Sequence, residues 1–219
     1  MIIDIHTHFW KPSELGPELY RDLEQARIPA EKMMMTSESH LEATAAVDRA
    51  VVFGMKARMS GMNVSNDTVR EQAGKAPDRL VFFTSVDPSE TGFMEELERT
   101  HRDLGAKGIK LGPIYQGVHP VDDRYRLIYS YAQKHNLPIL IHMATTFASG
   151  APLDYGNPAH MDEIAINFPE LKIVLAHLGH PWVGECIAVI RRNRNVYADI
   201  SALYYRPWQF YNSMKLLVE

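Results

Sequence analysis

A chain of 219 residues, 46% hydrophobic and 23% charged, is long enough for one full-sized core and short for two. Its net charge of -4 comes without a basic block, which argues against nucleic acid or an anionic membrane as partner. No apolar run approaches the roughly 18 residues needed to span a bilayer. A strand pattern starting at the second residue leaves no room for a signal or transit peptide, and the single Cys186 cannot form an internal disulfide. The expected compartment is the reducing cytoplasm.

In chain order, the opening stretch Met1-Ile2-Ile3-Asp4-Ile5-His6-Thr7-His8 carries an apolar run at Ile2 to Ile5, and Ile3, Ile5 and Thr7 alternate with Asp4, His6 and His8 with the period of a strand. Residues two apart on a strand share a face, so His6 and His8 project side by side and their ring nitrogens can converge on one ion. Residues 10–48 form the longest interval, with Pro, Gly, aromatics and Met33-Met34-Met35. This stretch reads as an insertion over a barrel mouth, serving as a lid or pocket wall; the alternative is a packed excursion whose methionines fill core gaps.

Further apolar runs follow at Ala50 to Phe53, Leu80 to Val86, Gly108 to Leu111, Pro138 to His142, Ile173 to His177 and Val196 to Ile200. Amphipathic stretches alternate with them: Glu38 to Val47, Asn66 to Ala76, Gly92 to Leu104, Tyr125 to His135, His160 to Asn167, Gly184 to Arg192 and Pro207 to Val218. Near-continuous apolar strands alternating with helices predict an α/β fold with a parallel sheet buried on both faces. A closed (β/α)8 TIM barrel needs eight such units and typically about 250 residues. The expectation is therefore a single barrel domain over 1–219, lacking its last strand-helix unit.

In such barrels chemistry sits at the C-terminal ends of strands. His142 and His177 each close an apolar run, and His6 and His8 occupy the corresponding end of the first. Four of the ten histidines at equivalent ends point to a metal site, neutral imidazole being a common metal ligand. The helical His40, His101, His135 and His160 and the loop His119 read as solvated, and Cys186 as a buried small hydrophobe.

His6-Thr7-His8, Gly108-Ile109-Lys110-Leu111, His142 and Ala176-His177-Leu178-Gly179-His180-Pro181-Trp182 together resemble the amidohydrolase superfamily. The closer likeness is to its amidohydrolase-related branch of metal-dependent hydrolases and decarboxylases. The resemblance implies one divalent metal, usually zinc, with manganese, cobalt or iron as alternatives that the same ligand types suit. It implies His6, His8 and His142 as ligands, completed by a strand-eight aspartate, and His177 as the catalytic residue beside the activated water. Three neutral histidines plus one carboxylate would leave an open position for water or substrate, and zinc lowers the pKa of bound water to about 7. Lys110, His180, Trp182 and Arg206 are the expected substrate-contacting residues, with a metal-bridging lysine a minor alternative for Lys110. Tyr204 stands beside Arg206 after strand seven.

The chain stops at Glu219, in what reads as the helix before strand eight, so a truncated C-terminus is expected. Asp199 aligns with strand seven and is not taken as the missing ligand. The leading expectation is a hydrolase acting on a C–O or C–N bond of a small lactone- or amide-like molecule through metal-activated water. The alternatives are a nonoxidative decarboxylase of the aminocarboxymuconate semialdehyde decarboxylase type and a degenerate, noncatalytic metal-binding barrel. Members of the family are often dimers or tetramers.

Overall fold

The computed structural model describes residues 1–219. They divide into two compact units, Met1–Leu111 with Phe147–Gly150, and Gly112–Thr146 with Ala151–Glu219.

The first unit starts with β1 (Ile3–His8), followed by helices α1 (Pro17–Gln25) and α2 (Ser37–Ala43) and then by β2 (Arg49–Phe53). A short antiparallel pair, β3 (Lys56–Ala57) and β4 (Met62–Asn63), precedes α3 (Asn66–Gly74). The unit closes with β5 (Leu80–Phe82), β6 (Thr84–Ser85), α4 (Phe93–Arg102) and β7 (Ile109–Leu111). The predicted 80–86 strand is thus two strands. Up to Phe83 the chain bonds to β2, with Phe83 N donating to Val52 O at 3.0 Å, and from Thr84 it bonds toward β7, with Thr84 N donating to Gly108 O at 3.0 Å. Gly108 permits the switch: a Cβ there would stand 2.3 Å from the Phe83 ring.

β1 and β2 are parallel and slip in register between Asp4 and Thr7. The simple alternation read from the sequence is lost: Ile3 and Ile5 are exposed, and burial rises toward the strand's C-terminal end instead. Phe9, Ala50, Val52, Val69, Leu80 and Phe82 belong to the core of this unit. Trp10, Met35, Leu41 and Val47, all within the 10–48 interval, pack against it. These four side chains are partly buried, so each contributes less than the about 1.5–3 kcal/mol of a fully buried apolar side chain. Of the Met run, Met35 packs inward and Met34 is exposed.

The second unit contains α5 (Pro113–Gln116), α6 (Asp123–Lys134), β8 (Ile139–Ile141), α7 (His160–Asn167), β9 (Ile173–Leu175), α8 (Val183–Arg192), β10 (Val196–Ala198) and α9 (Pro207–Val218). Helix α6 begins where the Asp122 carboxylate accepts the Arg124 N–H, satisfying a donor that the first turn leaves unpaired. Its buried residues Tyr125, Ile128, Tyr129 and Ala132 recur at the three- and four-residue spacing of one helical face. Strands β8, β9 and β10 are parallel, with Ile141 opposite Leu175 and Leu175 opposite Ala198. That register brings the residues after all three strands, His142, Ala176-His177 and Asp199, to one edge.

Candidate active site

In the first unit, β1 delivers two imidazoles to one point. His6 Nε2 and His8 Nε2 lie 3.2 Å apart. Zinc–nitrogen bonds of 2.0–2.1 Å place two ligands of a tetrahedral ion about 3.4 Å from each other, so this spacing fits a shared cation. Phe53, opposite His8 on β2, packs edge-on against both rings, with centroids 5.1 and 4.6 Å away. The Thr7 hydroxyl points elsewhere, donating to Val51 O at 2.7 Å. Lys110, in the middle of β7, is completely buried. Its Nζ sits 3.5 Å from His6 Nε2 and 4.8 Å from the centre of the Phe53 ring. The face of the Phe53 ring is a favourable surface for a cationic amine.

His40 corrects the reading of the helical histidines as solvated. It is 3% exposed, with Nε2 3.2 Å from the Thr7 hydroxyl and Nδ1 3.2 Å from the Gln72 amide. Burial pushes its pKa down, with Asp4 pulling weakly the other way.

In the second unit the site residues are carried by a strained turn. His177 (φ 62°), Leu178 (φ 47°) and Gly179 (φ 67°) are consecutive left-handed residues. For His177 and Leu178 this costs about 1–3 kcal/mol each. Gly179 has no alternative, since a Cβ would stand 2.6 Å from Cys186 Cβ. Asp199 offsets the strain. Its carboxylate accepts the His177 N–H at 2.9 Å and the Ser201 N–H at 3.0 Å, and its backbone oxygen accepts the Leu178 N–H at 2.7 Å. The Ser201 hydroxyl donates to the same carboxylate. Hydrogen bonds to a charged group contribute about 1.5–3 kcal/mol each, enough to hold the turn.

Proton positions follow from these partners. Ser201 O only accepts and lies 3.0 Å from His177 Nδ1; Ser201 Oγ, committed to Asp199, lies 2.8 Å from the same nitrogen. Nδ1 of His177 therefore carries the proton, and its Nε2 accepts from His142 Nδ1, 3.1 Å away. His142 Nε2 lies 3.2 Å from Thr145 O, which only accepts, so this contact is satisfied by a proton on Nε2 or by a cation in its place. With the cation there, His142 would donate its other ring N–H to His177, as ligating histidines ordinarily do. The donor sets of both units thus suit the group that the sequence implies.

Of the remaining expected residues, His180 is 9% exposed and its carbonyl holds the Thr145 N–H at 2.8 Å. Its pKa is lowered by burial first and then by the positive charge of Arg206, which places that guanidinium in its electrostatic reach. Arg206 is itself exposed at the start of α9. Trp182 precedes α8, half-buried, with its N–H donating to Gly179 O at 2.7 Å. Cys186 is fully buried, and desolvation followed by the charge of Asp199 raises its thiol to about 12. Asp199 and Ser201 were the residues that sequence reasoning undervalued; an Asp-x-Ser directly after a strand was the available signal.

A second polar group lies elsewhere in this unit. His119 and His160 were read as solvated, yet the two rings pack edge-to-face at 4.5 Å around the Asp154 carboxylate.

The family comparison decides the relationship. A protein-family model described as Amidohydrolase matches residues 3–219. The chain belongs to the amidohydrolase family. No curated protein matches it. Among solved structures, an uncharacterized TIM-barrel protein from Bordetella bronchiseptica superposes with a TM-score of 0.75 at 25% identity, covering 94% of this chain and 76% of its own. A probable 2-pyrone-4,6-dicarboxylic acid hydrolase from Acinetobacter baumannii, solved with citric acid bound, gives 0.63 at 16% identity, covering 98% and 79%. A 5-carboxyvanillate decarboxylase from Novosphingobium aromaticivorans with bound manganese gives 0.66 at 17% identity, covering 98% and 84%. The fold of this amidohydrolase is accordingly the α/β TIM barrel. Members of the family are enzymes that use a divalent metal on small molecules, and the structural relatives include both hydrolases and decarboxylases. No helix is long and apolar enough to cross a membrane.

Proposed function

We propose that this amidohydrolase is a metal-dependent hydrolase that cleaves a C–O or C–N bond of a small lactone- or amide-like substrate. The observation that carries the reading is the 3.2 Å approach of His6 Nε2 to His8 Nε2. His6, His8 and His142 are the proposed ligands of one divalent ion, zinc before manganese, cobalt or iron. When bound, such an ion supplies Lewis-acid polarisation of a carbonyl and activation of water.

The chain's own part in the reaction is proton handling and orientation. His177, fixed through Nδ1 to Ser201, offers Nε2 as the base that takes the proton of the attacking water once the hydrogen bond from His142 Nδ1 is released. The Asp199 carboxylate, one hydroxyl away from the ring, stabilises the resulting imidazolium. As the scissile bond breaks, the same proton passes to the leaving oxygen or nitrogen. Lys110 and Arg206 are the proposed cationic contacts to a substrate carboxylate, with His180 and Trp182 as further substrate contacts. We also propose that the 10–48 interval borders the substrate pocket. The reducing cytoplasm is the proposed setting, supported by the free thiol of Cys186, and a homo-oligomer is the proposed assembly.

The likeness to a manganese-containing decarboxylase supports a second reading, nonoxidative decarboxylation at the same site. Screening the metal-loaded protein against lactones and cyclic amides by acid release, and against aromatic and enoic acids by CO2 release, separates the two. Hydrolysis that disappears in His177→Ala is the expected result. CO2 release without hydrolysis would make the chain a decarboxylase; one bound ion with turnover in neither assay would make it a noncatalytic barrel.

A further inference from the structure

His119, Asp154 and His160 come from three separate pieces of the second unit. His119 lies between α5 and α6, Asp154 in the 3-10 turn Leu153–Gly156, and His160 is the first residue of α7. One potential donor atom from each lies within 4.8 Å of the others. His160 Nε2 is 2.9 Å and His119 Nε2 3.9 Å from the same Asp154 oxygen, Oδ2.

The surroundings hold this geometry. The His119 ring is boxed between Tyr155, at 5.0 Å and nearly perpendicular, and His160, at 4.5 Å. The turn carrying Asp154 is pressed onto the chain beneath it at Gly156, where a Cβ would stand 2.2 Å from Ala144 O. Both imidazoles are about three-quarters buried, with side-chain exposures of 29% and 26%, while the carboxylate is 61% exposed. A solvent ion can therefore reach the carboxylate and be met by two ring nitrogens.

A simple ion pair would need only one imidazole. Two protonated rings at 4.5 Å would repel, whereas two neutral ones can share a cation. Nitrogen and carboxylate ligands on a tetrahedral zinc are spaced about 3.4 Å apart, between the 2.9 and 3.9 Å observed. The His119 Nε2 needs its lone pair for this, so the proton moves to Nδ1 at the cost of a long 3.4 Å contact from Val121 N.

We propose that His119, Asp154 and His160 form a second site for a borderline divalent ion such as zinc, with solvent completing the coordination. The ion clamps the α5–α6 connection, the 153–156 turn and the start of α7 together. The site is separate from the one assigned to His6, His8 and His142, and the proposal does not depend on that assignment.

The test titrates zinc, and cobalt(II) as a spectroscopic probe, into the full chain carrying His6→Ala and His8→Ala. Calorimetry gives stoichiometry and cobalt absorption reports nitrogen coordination. One equivalent is expected to bind and raise the thermal midpoint, with affinity falling at least tenfold on adding His119→Gln or His160→Gln. Should the background variant not fold, the wild-type chain is used, and loss of one equivalent in His160→Gln is the expected result. No binding in the background, or binding that neither glutamine substitution alters, would overturn the proposal. An intact wild-type stoichiometry in His160→Gln would do the same.

Discussion

The two units present their candidate site histidines by different physical means. In the first, His6 and His8 ride on β1, and despite the register slip between Asp4 and Thr7 their nitrogens converge at 3.2 Å. In the second, His177 sits on a left-handed turn that the local chain would not adopt unaided. Its orientation comes from Asp199 and Ser201, 22 and 24 residues further on. A strand-borne site should tolerate changes to its neighbours, whereas a turn-borne one should fail when its distant support is removed.

The largest contrast is expected in catalysis. Replacing His177 with Ala should lower kcat by about 10²–10⁴, the usual contribution of a positioned acid-base group, with little change in folding; steady-state kinetics and thermal melting check both. Next comes Asp199→Ala, which orphans the N–H groups of His177 and Ser201 at about 1–3 kcal/mol each. It should lower stability in urea and reduce kcat more than it raises KM, and Asp199→Asn, which keeps an acceptor, should recover part of both. Gly179→Ala should cost about 1–3 kcal/mol through its positive φ, plus the clash with Cys186 Cβ, while leaving metal affinity at His6 and His8 unchanged. In the first unit, Thr7→Val removes the bond to Val51 O and the contact to the buried His40 Nε2 and should cost about 1–3 kcal/mol. A larger loss there than for Asp199→Ala would break the comparison.

The smallest effect is a pH dependence. Burial holds His40 below its ordinary value of 6.5, so the unfolded chain binds its proton more readily than the folded one. Its contribution to stability is complete above about pH 6.5 and is lost as the pH falls through the depressed folded value. Melting at pH 7.5 and 5.5 should show a smaller acid loss in His40→Gln than in the wild type.

Much of the fold was legible because buried strands announce themselves as apolar runs: β7, β8, β9 and β10 fall within predicted segments, β2 starts one residue before its own, and α7 and α9 match theirs end to end. The split at Phe83 was not legible, because the change of partner from β2 to β7 depends on the side chain that Gly108 lacks. The emplacement of His40 against Thr7 and Gln72 was hidden for a similar reason. A helical histidine gives no local sign of whether its face is covered by residues 32 or 33 positions away. His119 and His160 looked like isolated surface residues because neither shares a periodic element with Asp154. Asp199 was visible in the sequence, but its role depends on donors from a turn whose backbone is set by tertiary contacts.

The central claim is that the paired nitrogens of His6 and His8 hold a divalent metal. Elemental analysis of the purified wild-type chain and of the His6→Ala/His8→Ala variant, each after zinc reconstitution and desalting, tests it most directly. The account predicts one more equivalent of zinc in the wild type than in the variant. Equal metal content in two folded proteins would contradict it.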